Sequence, residues 1–472
     1  MSTIVNCLVA GRPISSRNQV TVRSPYSREV VGTVGLAGRD HVDAAFAAAL
    51  QPAEPLTRFT RYEILDRARL LLEGRREEFA RLITSEAGLC IRETRYEVGR
   101  ALDVLRLAAV EALHDDGQIF SGDISPQGKA RKIFTVREPA SVVVAISPFN
   151  HPLNQVVHKV APAIAAGAPM ILKPSEKTPL TALRFAELLH QAGLPGRMLS
   201  VLLGPTGEVA ERLVQDPRAE VVSFTGSVAV GKRIASIAGY KRLVLELGGN
   251  DPLIVLDDAD LDLAAQLAAE GSYRNSGQRC TAVKRILVHD SVADEFTRRL
   301  VAKTKEYTCG DPSDEATRVG TVIDEQSAIY LESVINDAVT AGAKVLYGGI
   351  RNGALLQPTV ITNVPRDSRM IVCESFGPLA PILRVRDLDD AIALANATAY
   401  GLSSGVVTGS LDKALKAVKQ LRCGTVNINE VPGFRVEHSP FGGIKDSGLG
   451  VKEGVVEAIK SMTTVKTFSL PW

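Results

Sequence analysis

The chain has 472 residues, enough for two or three domains, because a single hydrophobic core stops growing near about 250–300 residues. Its 55 basic and 53 acidic residues leave a formal net charge of +2 with no basic block or aromatic-interleaved stripe, which argues against nucleic-acid binding. No apolar run is long enough to span a bilayer, the stretch Met1 to Cys7 lacks a basic region followed by an apolar core, and six cysteines without paired spacings indicate neither a disulfide framework nor a zinc site, so a reduced, cytoplasmic, metal-free protein without membrane contact is expected.

In chain order, Gln19–Arg23 and Val30–Val34 flank a Ser-Pro-Tyr-Ser turn and predict a hairpin. From Asp40 to about Leu113 apolar residues recur at helical spacing, for example Val98, Leu102, Leu105 and Ala109, which places Arg100 off the apolar stripe. The stretch Gly117 to Ala140 is polar and then strand-like through Arg131–Arg137, as an inserted β-hairpin would be. Between Ser141 and Asp257 short apolar runs (142–146, 170–172, 199–202, 221–224 and 243–245) alternate with helical segments. Runs of this kind are buried parallel strands, and the alternation predicts a doubly wound α/β sheet that binds its ligand beyond the strands' carboxyl ends. A second alternating region from Asp258 to about Val436 carries Cys280, and Val465–Leu470 reads as a terminal strand.

Phe224 to Arg233 nearly matches a triphosphate-binding loop, but Arg233 stands where a hydroxyl must ligate magnesium, so that reading loses its metal anchor. A dinucleotide fits better: Gly226 and Ser227 open a helix after a strand, where free amides and the helix dipole receive a pyrophosphate. Lys173, Ser175 and Glu176 follow another strand. This string resembles the ribose-binding site of a known family, where a carboxylate accepts ribose hydroxyls and repels a 2′-phosphate, partly offset by Lys173, so the resemblance implies NAD over NADP. Cys280 and Glu246 suit two half-reactions, thiolate attack on a carbonyl and activation of a water that releases an acyl-thiol. Arg279 is the immediate neighbour of Cys280, its charge serving either to depress the thiol pKa or to hold an anionic substrate.

The strings Ser147-Pro148-Phe149-Asn150, Leu245-Glu246-Leu247-Gly248-Gly249, Gly277-Gln278-Arg279-Cys280 and Glu374-Ser375-Phe376-Gly377-Pro378, in this order, resemble the aldehyde dehydrogenase superfamily over nearly the whole chain. The resemblance implies a doubly wound NAD-binding domain (1–116 and 140–246), an α/β catalytic domain (247–450) and a small β oligomerisation arm (117–139 and 451–472) serving a homodimer or homotetramer. It implies Cys280 as nucleophile, Glu246 as the base of hydrolysis and Asn150 as oxyanion donor. It assigns Ser147, Pro148, Phe149, Lys173, Ser175, Glu176, Gly226, Ser227, Leu247, Gly248, Glu374 and Phe376 to the cofactor. Relatives that transfer the acyl group to coenzyme A do not typically keep the Glu246 equivalent, so a carboxylic acid product is expected.

Positive charge near these motifs, from Arg100, Arg279 and Arg435 with His151 and Thr281 beside them, suits a small anionic aldehyde, because guanidinium forks make bidentate contacts to oxyanions. The strings around Asn150, Asn250 and the terminal Phe468-Ser469-Leu470-Pro471-Trp472 resemble the phosphonoacetaldehyde dehydrogenases, which implies oxidation of phosphonoacetaldehyde to phosphonoacetate. Non-phosphorylating glyceraldehyde-3-phosphate dehydrogenase shares a string like Gly277 to Arg285 and is the alternative, and a catalytically silent structural member is a third reading. His158 and His438 read as structural. Many relatives have Gly-Arg-Glu where this chain has Gly450-Val451-Lys452-Glu453.

Overall fold

In the computed structural model, which describes residues 4–451 and 453–472, the apolar runs become five parallel strands: β1 (Val143–Ile146), β2 (Met170–Lys173), β3 (Leu199–Val201), β4 (Val221–Thr225) and β5 (Arg242–Glu246). Residues 1–3 of the N-terminal stretch and Lys452 of the departing C-terminal string lie outside the described residues. The sheet order is β5-β4-β1-β2-β3, continued antiparallel by Leu8–Val9 and Arg12–Pro13. After β1 the chain builds to one side through β2 and β3, then returns to the other side as β4. That reversal between β1 and β4 opens a crevice at their carboxyl ends, where sheets of this type bind ligands.

Helices cover the sheet as their periodicity requires. The predicted helical stretch resolves into Arg39–Ala49, Arg58–Gly74, Arg76–Ala87 and α1 (Ile91–Leu113), the last burying Val98, Ala101, Val104, Leu105, Ala108 and Ala112. Against it packs α2 (Asn154–Ala166), every residue of which is buried. Burying each Val or Ile side chain contributes about 1.5–3 kcal/mol, so this helix pair anchors whatever its polar residues hold. The buried Glu97 of α1 accepts from the backbone amides of Leu153 (2.8 Å) and Asn154 (3.0 Å), placing a carboxylate on the N-terminal end of α2.

The second sheet is centred on β6 (Asp251–Val255) and β7 (Val283–His289). Its order is Lys344–Tyr347, Thr359–Thr362, Leu379–Val385, β7, β6, Ser403–Val407, Thr425–Ile428, parallel except at the first pair. The predicted hairpin pairs Gln19–Arg23 with Val30–Gly35. Arg131–Pro139 pairs along its length with Thr463–Pro471, and Ile119–Ser121 completes a three-stranded arm. One boundary shifts: Val455–Ser461, expected within the arm, is a helix packed on α1 and α2, with Val455 and Met462 in the first core. Its short apolar face finds more buried area there than on a thin sheet. Among the described residues, no helix is long and apolar enough to cross a membrane.

Candidate active site

A cleft of about 590 Å³ opens at the crevice. Ser147, Pro148, Phe149 and Asn150 line it after β1; Lys173, Ser175 and Glu176 after β2; Gly226 and Ser227 after β4; Leu247 and Gly248 after β5. Glu374, Phe376 and Cys280 face it from loops of the second sheet. Val230 and Arg233 of the Phe224 to Arg233 string line it as well, as do Thr206 and Glu211, which belong to no motif.

The residues present fit a dinucleotide. Ser227 caps α3 (Val228–Ile237), its hydroxyl accepting from the Val230 amide at 3.4 Å, so the first turn of that helix faces the cleft as an anion-binding end. Gly248 leaves room that no other residue would: a Cβ there would lie 2.1 Å from Glu374 Oε2. Phe149 and Phe376 meet edge to face, centroids 5.9 Å apart, and Phe376 holds a positive φ of 57° to do so. Volume and lining are those of a cofactor-sized site.

Cys280 follows a strained turn after α4 (Leu261–Tyr273). Asn275, Ser276 and Gly277 are left-handed in succession, with φ of 57°, 53° and 70°. Two non-glycine residues in this region cost about 1–3 kcal/mol each, so surrounding bonds must impose the shape. They do: Asn275 Nδ2 donates to the Asn150 carbonyl (2.8 Å), Asn150 Nδ2 to the Gln278 carbonyl (2.8 Å), and the Ile323 amide to Gln278 Oε1 (2.8 Å). Asn150 gives one of its two amide hydrogens to this loop and has a second to give. Burial pushes the Cys280 thiol up to about 11, against the pull of Lys284. Lys284 Nζ donates to the carbonyls of Arg279 (2.8 Å) and Cys280 (2.6 Å) and lies 3.2 Å from Glu374 Oε1.

Glu246 ends β5 fully enclosed, and neither of its oxygens accepts a hydrogen bond of ordinary geometry from a described residue. Burial, then the charge of Glu453, raises its pKa well above the usual carboxylate range, while Arg435 and Lys159 oppose. Lys159 Nζ donates to Ser223 Oγ (3.0 Å) and Thr225 Oγ1 (2.8 Å) and lies 3.8 Å from Glu453 Oε1. Lys159 belongs to no motif; a lysine inside the apolar run of α2 is the one signal of it, since lysine is almost never fully buried unless paired.

The expected substrate cations are placed differently from one another. Arg100 does not offer a free fork: Nε and Nη2 donate to the two oxygens of Glu437 at 2.5 and 3.1 Å. Arg279 turns toward α4, its Nη2 donating to the Gly271 carbonyl at 2.8 Å, and it is Lys284 that pulls the thiol pKa down. Adjacent side chains of an extended loop point apart, and the exposed carbonyls at the end of α4 attract the guanidinium. Arg435 lies over the Phe441 ring at 4.0 Å, its Nη1 making no hydrogen bond but lying 3.8 Å from Glu453 Oε2, and its charge acts on both Cys280 and Glu246. His151 is 3.4 Å from Glu97 Oε2, and Thr281 packs beside Gly433, on the loop that carries Arg435. His158, read as structural, donates from Nε2 to Glu437 at 2.6 Å, yet its Nδ1 has no partner. Among the described residues, no three His, Cys, Asp or Glu side chains are grouped to hold a metal.

Fold and site together define a class of enzyme in which a cysteine works at the mouth of a nucleotide cleft. The chain belongs to the aldehyde dehydrogenase family, which matches residues 13–468. It is 40% identical over 456 residues to a 3-sulfolactaldehyde dehydrogenase of Priestia aryabhattai, covering 96% of this chain and 95% of the relative. It is 38% identical over 462 residues to a lactaldehyde dehydrogenase of Methanocaldococcus jannaschii, covering 96% and 97%. Among solved structures, an NADP-dependent glyceraldehyde-3-phosphate dehydrogenase from Bacillus halodurans complexed with NADP superposes with a TM-score of 0.95 at 36% identity, covering 99% of both chains. Family members use a nicotinamide cofactor, so the chain is an oxidoreductase acting on small aldehydes. None of these three relatives carries the phosphonoacetaldehyde name that the sequence strings suggested.

Proposed function

We propose that the enzyme oxidises a small aldehyde bearing a strongly acidic group to its carboxylic acid, with NAD as cofactor and hydrolytic release of the product. Cys280 as thiolate adds to the aldehyde carbon, and the free amide hydrogen of Asn150 holds the oxyanion of the thiohemiacetal, a contact of a kind that contributes about 3–4 kcal/mol in other enzymes. Bound dinucleotide supplies the hydride acceptor. Glu246 then takes a proton from the water that attacks the thioester, and Cys280 leaves as thiolate. Glu453, Lys159 and Arg435 surround Glu246 with charge that sets when it can hold that proton.

Arg435 carries the substrate reading. Arg100 and Arg279 are hydrogen-bonded to protein oxygens, whereas Arg435, stacked on Phe441, makes no hydrogen bond through Nη1, which lies 3.8 Å from Glu453 Oε2, and projects its charge onto both reacting groups. A sulfonate, phosphonate or phosphate beside the reacting carbon would complete it, and the 3-sulfolactaldehyde relative at 40% identity favours the sulfonate. Phosphonoacetaldehyde is the phosphonate to set against it. The glyceraldehyde-3-phosphate reading rests on the Bacillus halodurans structure and on the string Gly277 to Arg285. NAD is favoured by Glu176 on the cleft rim, and the exposed Ile119, Phe120, Phe468 and Leu470 of the arm support self-association into a dimer or tetramer.

The test is kcat/KM for 3-sulfolactaldehyde, phosphonoacetaldehyde, glyceraldehyde 3-phosphate and propionaldehyde with wild type and Arg435→Met. The expected result is an acidic aldehyde as best substrate, losing about ten- to a hundred-fold more than propionaldehyde in the variant. Propionaldehyde as the best wild-type substrate overturns the reading.

A further inference from the structure

Gln155 lines the cleft that holds Cys280 and Asn150, yet neither the thiol chemistry nor the dinucleotide uses it. It is the second residue of α2, and its backbone amide donates to the His151 carbonyl at 3.0 Å. One helical turn, about 5.4 Å of rise, therefore separates it from the loop that carries Asn150, and helical side chains lean back toward that N-terminal end. Gln155 is only 8% exposed, and its Oε1 is buried with no hydrogen-bond partner among the described residues.

A buried amide oxygen without a partner costs free energy that a methionine of similar size would avoid, and native interiors rarely keep one without a reason. A carboxamide whose oxygen no protein group holds can turn about its last bond and offer a ligand either that oxygen or its two N–H donors. The group it meets follows from the geometry of the reacting carbon. Once Cys280 has added, that carbon bears the sulfur, an oxygen, a hydrogen and the next carbon of the aldehyde. Asn150 donates to the oxygen. The hydrogen must face the dinucleotide, toward which Glu374 and Phe376 point from loops of the second sheet. Gln155 and Asn150 belong to one segment packed on the first sheet, so Gln155 is left to meet whatever the next carbon bears.

We propose that Gln155 is a specificity-determining residue whose carboxamide hydrogen-bonds to a hydroxyl on the carbon next to the aldehyde carbonyl. The assignment rests on the reading of this centre as an aldehyde-oxidising site and deepens it. Lactaldehyde, 3-sulfolactaldehyde and glyceraldehyde 3-phosphate carry that hydroxyl and phosphonoacetaldehyde does not, so the residue divides the candidate substrates. Arg435 then reads the acid of the substrate and Gln155 its hydroxyl.

The experiment measures kcat/KM for lactaldehyde and propionaldehyde, a pair differing by that hydroxyl alone, in wild type and Gln155→Met, together with the melting temperature of each protein. Methionine keeps the length of the side chain and removes its hydrogen-bonding groups. The lactaldehyde to propionaldehyde ratio is expected to fall about tenfold or more in the variant, because lactaldehyde alone loses a contact. The melting temperature is expected to stay at or above that of wild type, since the Gln155 oxygen gives up no bond to the protein. An unchanged ratio overturns the proposal, and a rise in KM for NAD alongside it would mark the amide as a cofactor contact instead. A variant that fails to fold overturns it as well, because the amide would then serve the fold. If wild type turns over neither aldehyde, the aldehyde-oxidising reading falls and the subsite with it, an outcome distinct from turnover of both at an unchanged ratio.

Discussion

Lys284 joins Cys280 to Glu374: one ammonium donates to the Cys280 carbonyl at 2.6 Å and lies 3.2 Å from the Glu374 carboxylate, which faces the cleft. The loop bearing the thiol and the loop bearing Glu374 and Phe376 are thereby held in one register. Replacing Lys284 by Met removes the largest pull opposing the thiol's burial and leaves Glu374 without its counter-ion. The expected outcome is slower iodoacetamide labelling of Cys280 near neutral pH, with a loss of about 3 kcal/mol in stability, the lower end for breaking a buried pair. Labelling at the wild-type rate in a folded variant contradicts it.

Activity is expected to climb with pH. The Cys280 thiol is pushed up to about 11 by burial, so near neutrality it favours its protonated form, and Glu246 is raised in the same direction by burial and then by Glu453. Thiolate attack and water activation each need the deprotonated form, and kcat/KM should therefore rise from pH 7 toward pH 10. Glu246→Gln should still acylate, then stall as the thioester, which mass spectrometry detects as a stable adduct on Cys280. A flat profile, or full turnover in Glu246→Gln, counts against these roles.

Cofactor choice is expected to turn on Glu176, exposed at the rim of the cleft three residues beyond Lys173. Burial depresses the Lys173 ammonium pKa, and the nearby Glu176 charge opposes that shift. Glu176→Thr should raise the NADP to NAD ratio of kcat/KM about tenfold or more, through KM for the dinucleotide. A wild-type preference for NADP refutes the assignment.

The Arg100–Glu437 pair predicts acid sensitivity. Burial opposes ionisation of Glu437, but the His158 hydrogen bond and charge, together with Arg100, hold its pKa well below the usual carboxylate range. A depressed native pKa contributes stability that is present above the ordinary carboxylate value of about 4.3 and is lost as pH falls toward the native one. Glu437→Gln should cost about 3 kcal/mol at pH 7, because Arg100 is largely buried and loses its partner. Its melting temperature should also fall less steeply than that of wild type below pH 4.5. Parallel melting curves for the two proteins across that range exclude the pair as a stabilising element.

By itself the sequence determined the parallel sheet, the helices and the wall of the cleft. Apolar runs such as Val143–Ile146 and the 3.6-residue stripe through Val98 and Leu105 encode buried strands and an amphipathic helix locally, and the residues just after each strand must converge wherever the sheet reverses. Only tertiary structure decided what the charges do. Arg100 and Arg279 resemble Arg435 in sequence as cations near a motif, yet the first meets Glu437, distant in sequence on a facing loop, and the second meets carbonyls at the end of α4. The partner of a long flexible side chain is set by which loops pack together, a property no local pattern records.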